Sequence, residues 1–183
     1  MSDSDLPLSF RDQIMDALLA HLQTQCGTTF RHYGRRFFPF MDLISKIDAS
    51  DADKLAQPAL LLFDGAGLGG GSDIFAPKGR ASPGLVTMVR TIVIYATLPG
   101  GGMPEGPNPV YPGGKVFHPL IQSVENALSA VDATSQNALT LGGLVSHVWL
   151  EGEGLMVTGE LDETQGQGMQ TLPVRILMWP RTS

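Results

Sequence analysis

The C-terminal quarter of the chain constrains the fold most, because it contains three segments with the alternating pattern of β-strands. In residues 144–150, successive side chains fall on opposite faces of an extended strand. The Gly/Glu-rich residues 151–154 favour a chain reversal, which makes residues 155–161 the return strand of a hairpin. Residues 172–178 alternate again, after a polar Gly/Gln-rich stretch at 162–171 that we expect to lie outside the strand. The segment therefore predicts part of an antiparallel sheet.

Two helices are expected upstream. Residues 9–25 carry an apolar stripe at helical spacing, with Ser9 as the N-cap and Asp12 as its capping-box partner. Apolar residues recur at helical spacing after Pro119, which suits a position in the first turn. Residues 41–56 are ambiguous, because their apolar residues fit a short helix without requiring one.

Further strands are predicted at residues 59–64 and 85–97, and residues 30–40 are expected to be extended. Runs of strands, instead of strict βαβ alternation, predict an α+β fold: a mostly antiparallel sheet of about five strands with helices packed on one face and long Gly/Pro-rich loops. The length fits a single domain spanning residues 1–183. The predicted core consists of Leu18, Leu22, Leu60, Leu62, Ile92, Ile94, Val124, Leu128, Val148, Leu150, Val174 and Ile176.

Two segments stand out by composition, since Gly and Pro make up nearly half of residues 64–84 and more than half of residues 99–114. Neither is expected to form regular structure, because Gly raises the entropy cost of ordering and Pro removes a backbone donor. Loops of this length in a compact domain are usually functional or disordered. In a ring-forming protein they would be natural docking arms, and in the first of them the candidate contact residues are Gly67, Gly69, Phe75, Lys78 and Arg80.

Residues 65–70 also match the G-x-G-x-x-G spacing of a dinucleotide-binding loop and follow an apolar strand. Such a site needs a helix to begin at once, so that its N-terminal amides face the pyrophosphate. Residues 71–79 contain Gly and Pro and do not fit a long helix. A loop without bound nucleotide is favoured, and a small nucleotide- or ligand-binding enzyme that uses residues 65–71 stays as the alternative.

A basic and aromatic segment follows the first predicted helix. It contains Arg31, Arg35 and Arg36, followed by Phe37 and Phe38. Arginine and aromatic residues anchor protein interfaces, so contact with another protein is the favoured interpretation of this segment. Ordinary packing within the fold and contact with single-stranded nucleic acid remain alternatives.

Composition and motif spacing argue against several other functions. A net charge of −6 disfavours a general basic surface for nucleic acid. Cys26 is the single cysteine, which excludes an intrachain disulfide and a thiolate-rich metal site. The acidic N-terminus does not resemble a secretory signal, and no apolar run is long enough to cross a bilayer. The histidines lack ligand spacing, and His147 beside Trp149 is predicted to be an ordinary sheet residue. We therefore predict no enzyme activity, catalytic residues, metal or cofactor.

Several short motifs carry a family resemblance. They are QPAL at 57–60, VIY at 93–95, PLI at 119–121, ENAL at 125–128, LGGLV at 141–145, WLEG at 149–152 and PVRIL at 173–177. In this order the chain resembles the tail terminator proteins of long-tailed bacteriophages over most of its length. The Gly/Pro-rich segments look longer than a minimal member would need.

The resemblance implies a structural virion protein. Such a protein assembles into a hexameric ring that caps the tail tube, ends tube polymerisation and forms the head–tail joining surface. Its partners would be further copies of itself, the tail tube protein and the head-side connector or stopper protein, with DNA passing through without specific binding. Its location would be the host cytoplasm during assembly and then the head-proximal end of the tail. Another neck or tail-completion ring protein is the alternative within the same class.

Overall fold

The fold is given by a computed structural model, which describes residues 9–36, 56–63, 73–75, 86–98, 112–129, 138–152, 156–160 and 166–178. The described helices are α1, Phe10–Cys26, and α2, Pro112–Ser129, and a 3₁₀ turn at Gly27–Thr29 follows α1. The described strands are β1 His32–Arg36, β2 Ala59–Phe63, β3 Asp73–Phe75, β4 Val86–Leu98, β5 His147–Leu150, β6 Met156–Glu160 and β7 Gly166–Met178.

These strands form one mixed sheet whose main path runs β1-β2-β4-β7-β5. Its centre is the antiparallel pair β4 and β7, two strands of 13 residues that pair along their whole length. Among the described strands, β1 and β2 are parallel and all other neighbours are antiparallel. The predicted α+β fold, with a mostly antiparallel sheet, is confirmed.

β5 and β6 both pair with β7, so the predicted hairpin between them is wrong. The backbone N–H of Glu151 donates to the carbonyl of Pro173 at 2.9 Å, which continues the β5 register instead of reversing the chain. Pro173 has no N–H to donate in return, and the ladder is interrupted there. Pairing with β7 resumes at Met156, which lies opposite Gln170.

β7 begins at Gly166, although residues 162–171 were expected to lie outside the strand. The polar residues at 166–170 pair with β4 on one side and β6 on the other. Gln170 and Thr171 are buried, and the Gln170 side chain donates to the Thr171 carbonyl at 3.0 Å. Pairing on both edges therefore overrides the weak strand propensity of the Gly/Gln sequence.

The prediction that residues 64–84 lack regular structure is wrong at β3, which pairs with the beginning of β4. Asp73, Ile74 and Phe75 lie within residues 72–76, the longest run of that segment without Gly or Pro, so their backbone can join a ladder. β2 and β3 lie one after the other along the same edge of β4. The remainder of the segment, with the 65–71 loop, lies outside the described residues, as does the ambiguous stretch up to residue 55.

The main core lies between one face of the sheet and the two helices. Eleven of the twelve predicted core residues are buried there, and Leu150 is partly buried against them. The residues that β2, β4 and β7 contribute all stand at alternating positions along each strand. A second apolar cluster, which contains no residue of either helix, lies on the opposite face and consists of Ala59, Leu61, Phe63, Val93, Tyr95 and Met169.

The two helices begin differently. α1 begins as predicted: the backbone N–H of Asp12 donates to Ser9 Oγ at 3.2 Å. α2 begins at Pro112, so Pro119 lies inside the helix and its expected place in the first turn is wrong. The expectation that residues 99–114 form no regular structure is wrong at 112–114 for the same reason. Phe117 is fully buried and holds this part of α2 on the core, while Pro119 is exposed. Proline has no backbone N–H, so Pro119 cannot donate the helical hydrogen bond to the carbonyl of Lys115.

Candidate functional site

The outermost described strands give two candidate sites, one at each end of the sheet. The arginine edge comprises residues 31–36, with β1 as its strand. The tryptophan edge comprises His147–Glu151, which includes β5, together with Arg175 of β7. No other described strand pairs with the outer side of β1 or of β5.

At the arginine edge, Arg35 of β1 forms ion pairs with helix α1 of the same chain. Its guanidinium contacts the carboxylates of Asp12 and Asp16, the latter through Nη1 and Oδ1 at 3.0 Å. The two aspartates are four residues apart and therefore lie on one face of the helix. Only 18% of the Arg35 side chain is exposed. Its position in β1, beside Leu62 on the helix-covered face, explains why it reaches α1.

The Asp12 carboxylate is the centre of this cluster. Two hydrogen bonds lower the pKa of Asp12 from its ordinary value of 3.8. The larger effect comes from the Ser9 hydroxyl and the next largest from the Arg35 guanidinium. A carboxylate held ionised by two donors fixes the start of α1 against β1. The cluster therefore has a structural role within one subunit.

Arg31 and Tyr33 lie beside this cluster. Arg31 is exposed, and its backbone N–H donates to the Pro58 carbonyl at 2.8 Å. The Tyr33 hydroxyl donates to the Gly27 carbonyl at 2.7 Å, and burial raises its pKa to about 12. Its ring packs edge-on against Phe30 with centroids 5.7 Å apart. Part of the aromatic character of this segment therefore serves the fold.

At the tryptophan edge, the rings of His147 and Trp149 are stacked, with centroids 5.1 Å apart and planes 20° from parallel. The backbone N–H of Leu139 donates to His147 Nδ1 at 3.3 Å, which requires a lone pair on that nitrogen. This hydrogen bond and the stacking agree with the prediction of an ordinary sheet residue. Trp149 stays partly exposed on the sheet face away from the helices.

Glu151 and Arg175 complete the tryptophan edge. The Arg175 guanidinium donates to the Glu151 carboxylate, and this hydrogen bond lowers the pKa of Glu151 and raises that of Arg175. Arg175 is the register partner of Trp149, so the ion pair lies on the same face of the sheet as the two stacked rings. The Glu151 side chain is 39% exposed, and the residue directly follows β5, the last strand on this side of the sheet's main path.

The predicted contact residues divide into three groups. Arg31 and Arg35 lie together at the arginine edge, with Arg35 engaged by α1. Arg36 and Phe75 are placed only by backbone pairing, opposite Phe63 and Val86 respectively. The others lie outside the described residues, namely Phe37, Phe38, Gly67, Gly69, Lys78 and Arg80.

Sequence reasoning missed the partners of two arginines. Asp12 and Asp16 carried a signal, because two carboxylates four residues apart precede an arginine-rich strand. The pair of Glu151 with Arg175 carried none, since it depends on β5 pairing with β7 in the observed register. The sequence offers Glu151 only as a turn residue, whereas the structure shows it in an ion pair with Arg175.

The chemistry of the remaining described groups is limited. Cys26 is buried, its thiol contacts the Ser123 carbonyl at 3.6 Å, and burial raises its pKa, so at neutral pH it is protonated and unreactive. Within the described ranges, no group of three or more His, Cys, Asp or Glu side chains could hold a metal ion. None of the described helices is long and apolar enough to cross a membrane.

The two edges present partly exposed Trp, Tyr and Arg side chains on or beside strands whose outer side has no described neighbour. These residue types are enriched at protein interfaces. The arrangement is suited to contact with another polypeptide. Neither the known protein families nor the curated proteins include a match to this chain.

Proposed function

We propose that this protein is a tail terminator: a ring-forming virion protein that caps the tail tube of a long-tailed bacteriophage. The sequence resemblance supports this, and its motifs fall on structural elements in chain order. QPAL leads into β2, VIY lies in β4, PLI lies in α2, WLEG lies at the end of β5 and PVRIL lies in β7. The α+β fold expected from the resemblance is also the fold of the chain.

One observation carries the proposal beyond resemblance. The described sheet ends in two unlike edges, one basic and aromatic, the other with Trp149 and the acidic Glu151. Contacts between unlike surfaces are heterologous, and they generate a ring when the rotation between copies closes. An enzyme that binds a small molecule as a monomer has no need of such a pair of edges.

The mechanism would be completion of an interface. A growing tube ends in a surface that accepts the next subunit, because head-to-tail contacts leave one unsatisfied end. A hexameric ring that covers this end removes the acceptor and presents a new surface to the head-side connector. DNA would pass through the centre without specific contacts, which suits a chain with net charge −6.

The test is assembly and position. Purified protein should form closed sixfold rings, visible by negative-stain microscopy and native mass spectrometry, either alone at high concentration or on the ends of purified tail tubes. Added to polymerising tube protein, it should shorten the tubes. Labelled protein in intact virions should lie at the head-proximal end of the tail. Label elsewhere in the neck would favour another completion protein, and label at the distal tip would refute the proposal.

A further inference from the structure

We infer that neighbouring copies in the ring join edge to edge through their sheets. β1 of one copy pairs antiparallel with β5 of the next, and Arg36 lies opposite Glu151. This inference rests on the ring of the proposed function and specifies how the ring closes. The partner of each edge is thus a second copy of this chain. The tube protein and the connector would then bind other surfaces.

Strand direction supports this join. Along the path, β1 and β2 run one way, β4 the opposite way, β7 the first way again, and β5 and β6 the opposite way. The two outermost strands therefore run in opposite directions. Rotation about an axis parallel to the strands preserves direction, so β1 of the next copy lies antiparallel to β5. Antiparallel pairing is the more stable kind of ladder.

The alignment of residues across the sheet supports the position of the join. Five residues form one row, each paired with the next: Arg36, Phe63, Thr91, Pro173 and Glu151. The row thus begins at an arginine on one edge and ends at a glutamate on the other. Without a shift along the strands, each new copy places the residue-36 position of β1 beside Glu151 of its neighbour.

The charges at the ends of this row are complementary. By register, position 36 shares the face of Phe63, and Glu151 shares the same face through Pro173. Glu151 already accepts a hydrogen bond from Arg175 of its own chain. A carboxylate has two oxygens and accepts several hydrogen bonds, so Glu151 can hold a second arginine from the next copy. Opposite charges directly across two strands favour the correct register.

The size of the resulting ring is consistent with its proposed role. Six copies of the five-strand path, at about 4.8 Å per strand, give a backbone circumference on the order of 140 Å. The corresponding diameter is roughly 45 Å at that spacing. After side chains are allowed for, the opening still exceeds the width of a DNA duplex.

Cysteine trapping tests the join. The double variant Arg36→Cys/Glu151→Cys places one thiol at each end of the row, while the native Cys26 is buried and does not compete. Within one chain the two positions are four strand spacings apart, roughly 19 Å. A disulfide requires Cα atoms within about 7 Å, so it can form only between chains. Mild oxidation should give a ladder of covalent oligomers on non-reducing gels, ending at the closed ring.

The matched control is Arg31→Cys/Glu151→Cys, which moves one thiol along the strand by five residues and out of the row. It should give no ladder, and each single variant should give at most dimers. Rings without a ladder from the Arg36→Cys/Glu151→Cys protein would overturn the edge join and leave the proposed function standing. A wild-type protein that forms no rings at any concentration or on any tube end would overturn the ring itself, and the join with it.

Discussion

At the scale of single residues, the arginine segment combines two roles that its sequence does not separate. Arg35 belongs to the fold, because Asp12 and Asp16 hold its guanidinium within the same chain. Arg31 is exposed, and Arg36 ends the outermost described strand. Reversing the charge of Arg35 would place three carboxylates together and report on folding, so interface tests belong at Arg31 and Arg36.

The lowered pKa of Asp12 predicts a pH-dependent contribution to stability. Because the folded-state pKa lies below the unfolded value near 3.8, the contribution is fully present above that pH and is lost as the pH falls through the folded-state pKa. The difference in unfolding free energy between wild type and Asp12→Asn should be constant near neutral pH and shrink below about pH 4. Urea denaturation at several pH values measures it. A difference that stays constant into strong acid would contradict the assignment.

Core truncation should distinguish positions that the sequence treats alike. Ile94 is fully buried, so Ile94→Ala should cost about 2–5 kcal/mol through lost transfer energy and a residual cavity. Leu150→Ala is the matched comparison, because Leu150 was predicted in the same core but is only partly buried. It should cost clearly less in chemical denaturation. Equal losses for the two variants, or a loss below about 1 kcal/mol at Ile94, would contradict the packing described for the sheet.

At the scale of elements, the sequence predicted which segments are strands and helices better than which strands are neighbours. Alternation in residues 144–150 and 155–161 identified two strands, but alternation does not name a partner, and both strands pair with β7. The turn residues 151–154 suggested a reversal because Gly favours one. Hydrogen bonding of Glu151 to Pro173, a contact distant in sequence, decided otherwise.

The same limitation applies to the candidate sites and to the start of α2. The arginine edge could be found from composition, whereas the tryptophan edge exists only because β5 and β7 pair in one register. Pro119 resembled a first-turn proline, but Phe117, two residues earlier, is buried against the sheet and extends the helix toward its N-terminus. Tertiary packing therefore outweighed the local signal.

Gly168 allows α2 to approach β7 closely. A Cβ built at this position would lie 2.7 Å from Phe117 Cε2 and 3.1 Å from Leu98 Cδ1. Both neighbours are fully buried, so neither ring nor methyl can move aside. Gly168→Ala should therefore destabilise the protein by about 1–3 kcal/mol, as overpacking does. Thermal and urea denaturation measure the change.

A second substitution separates this clash from any loss of strand backbone freedom. In Gly168→Ala/Phe117→Leu, the smaller side chain leaves room for the added methyl, so the double variant should lose less stability than the sum of the two single variants. Simple additivity of the single-variant losses would show that the two residues do not meet.

At the scale of the whole molecule, the ring and the nucleotide-binding alternative give opposite results in one measurement. If residues 65–71 form a docking arm, ATP and NAD should leave the melting temperature unchanged. A ligand at a hundred times its dissociation constant would add about 2.7 kcal/mol of stability, which a thermal-shift assay detects readily. A clear upward shift with either nucleotide would favour an enzyme, with ADP-ribose and inorganic phosphate serving to identify the group that is bound.

The length of β4 has a consequence for how such a ring would meet its partners. Thirteen extended residues span roughly 40 Å, so strands that run along the ring axis would separate its two rims by about that distance. β4 begins at Val86 at one rim and ends at Leu98 at the other, and the Gly/Pro-rich segments precede and follow it in the sequence. Every copy would point the same way, which makes the ring polar and its rims chemically different. Each Gly/Pro-rich segment would then serve a different neighbour, one the tail tube and the other the head.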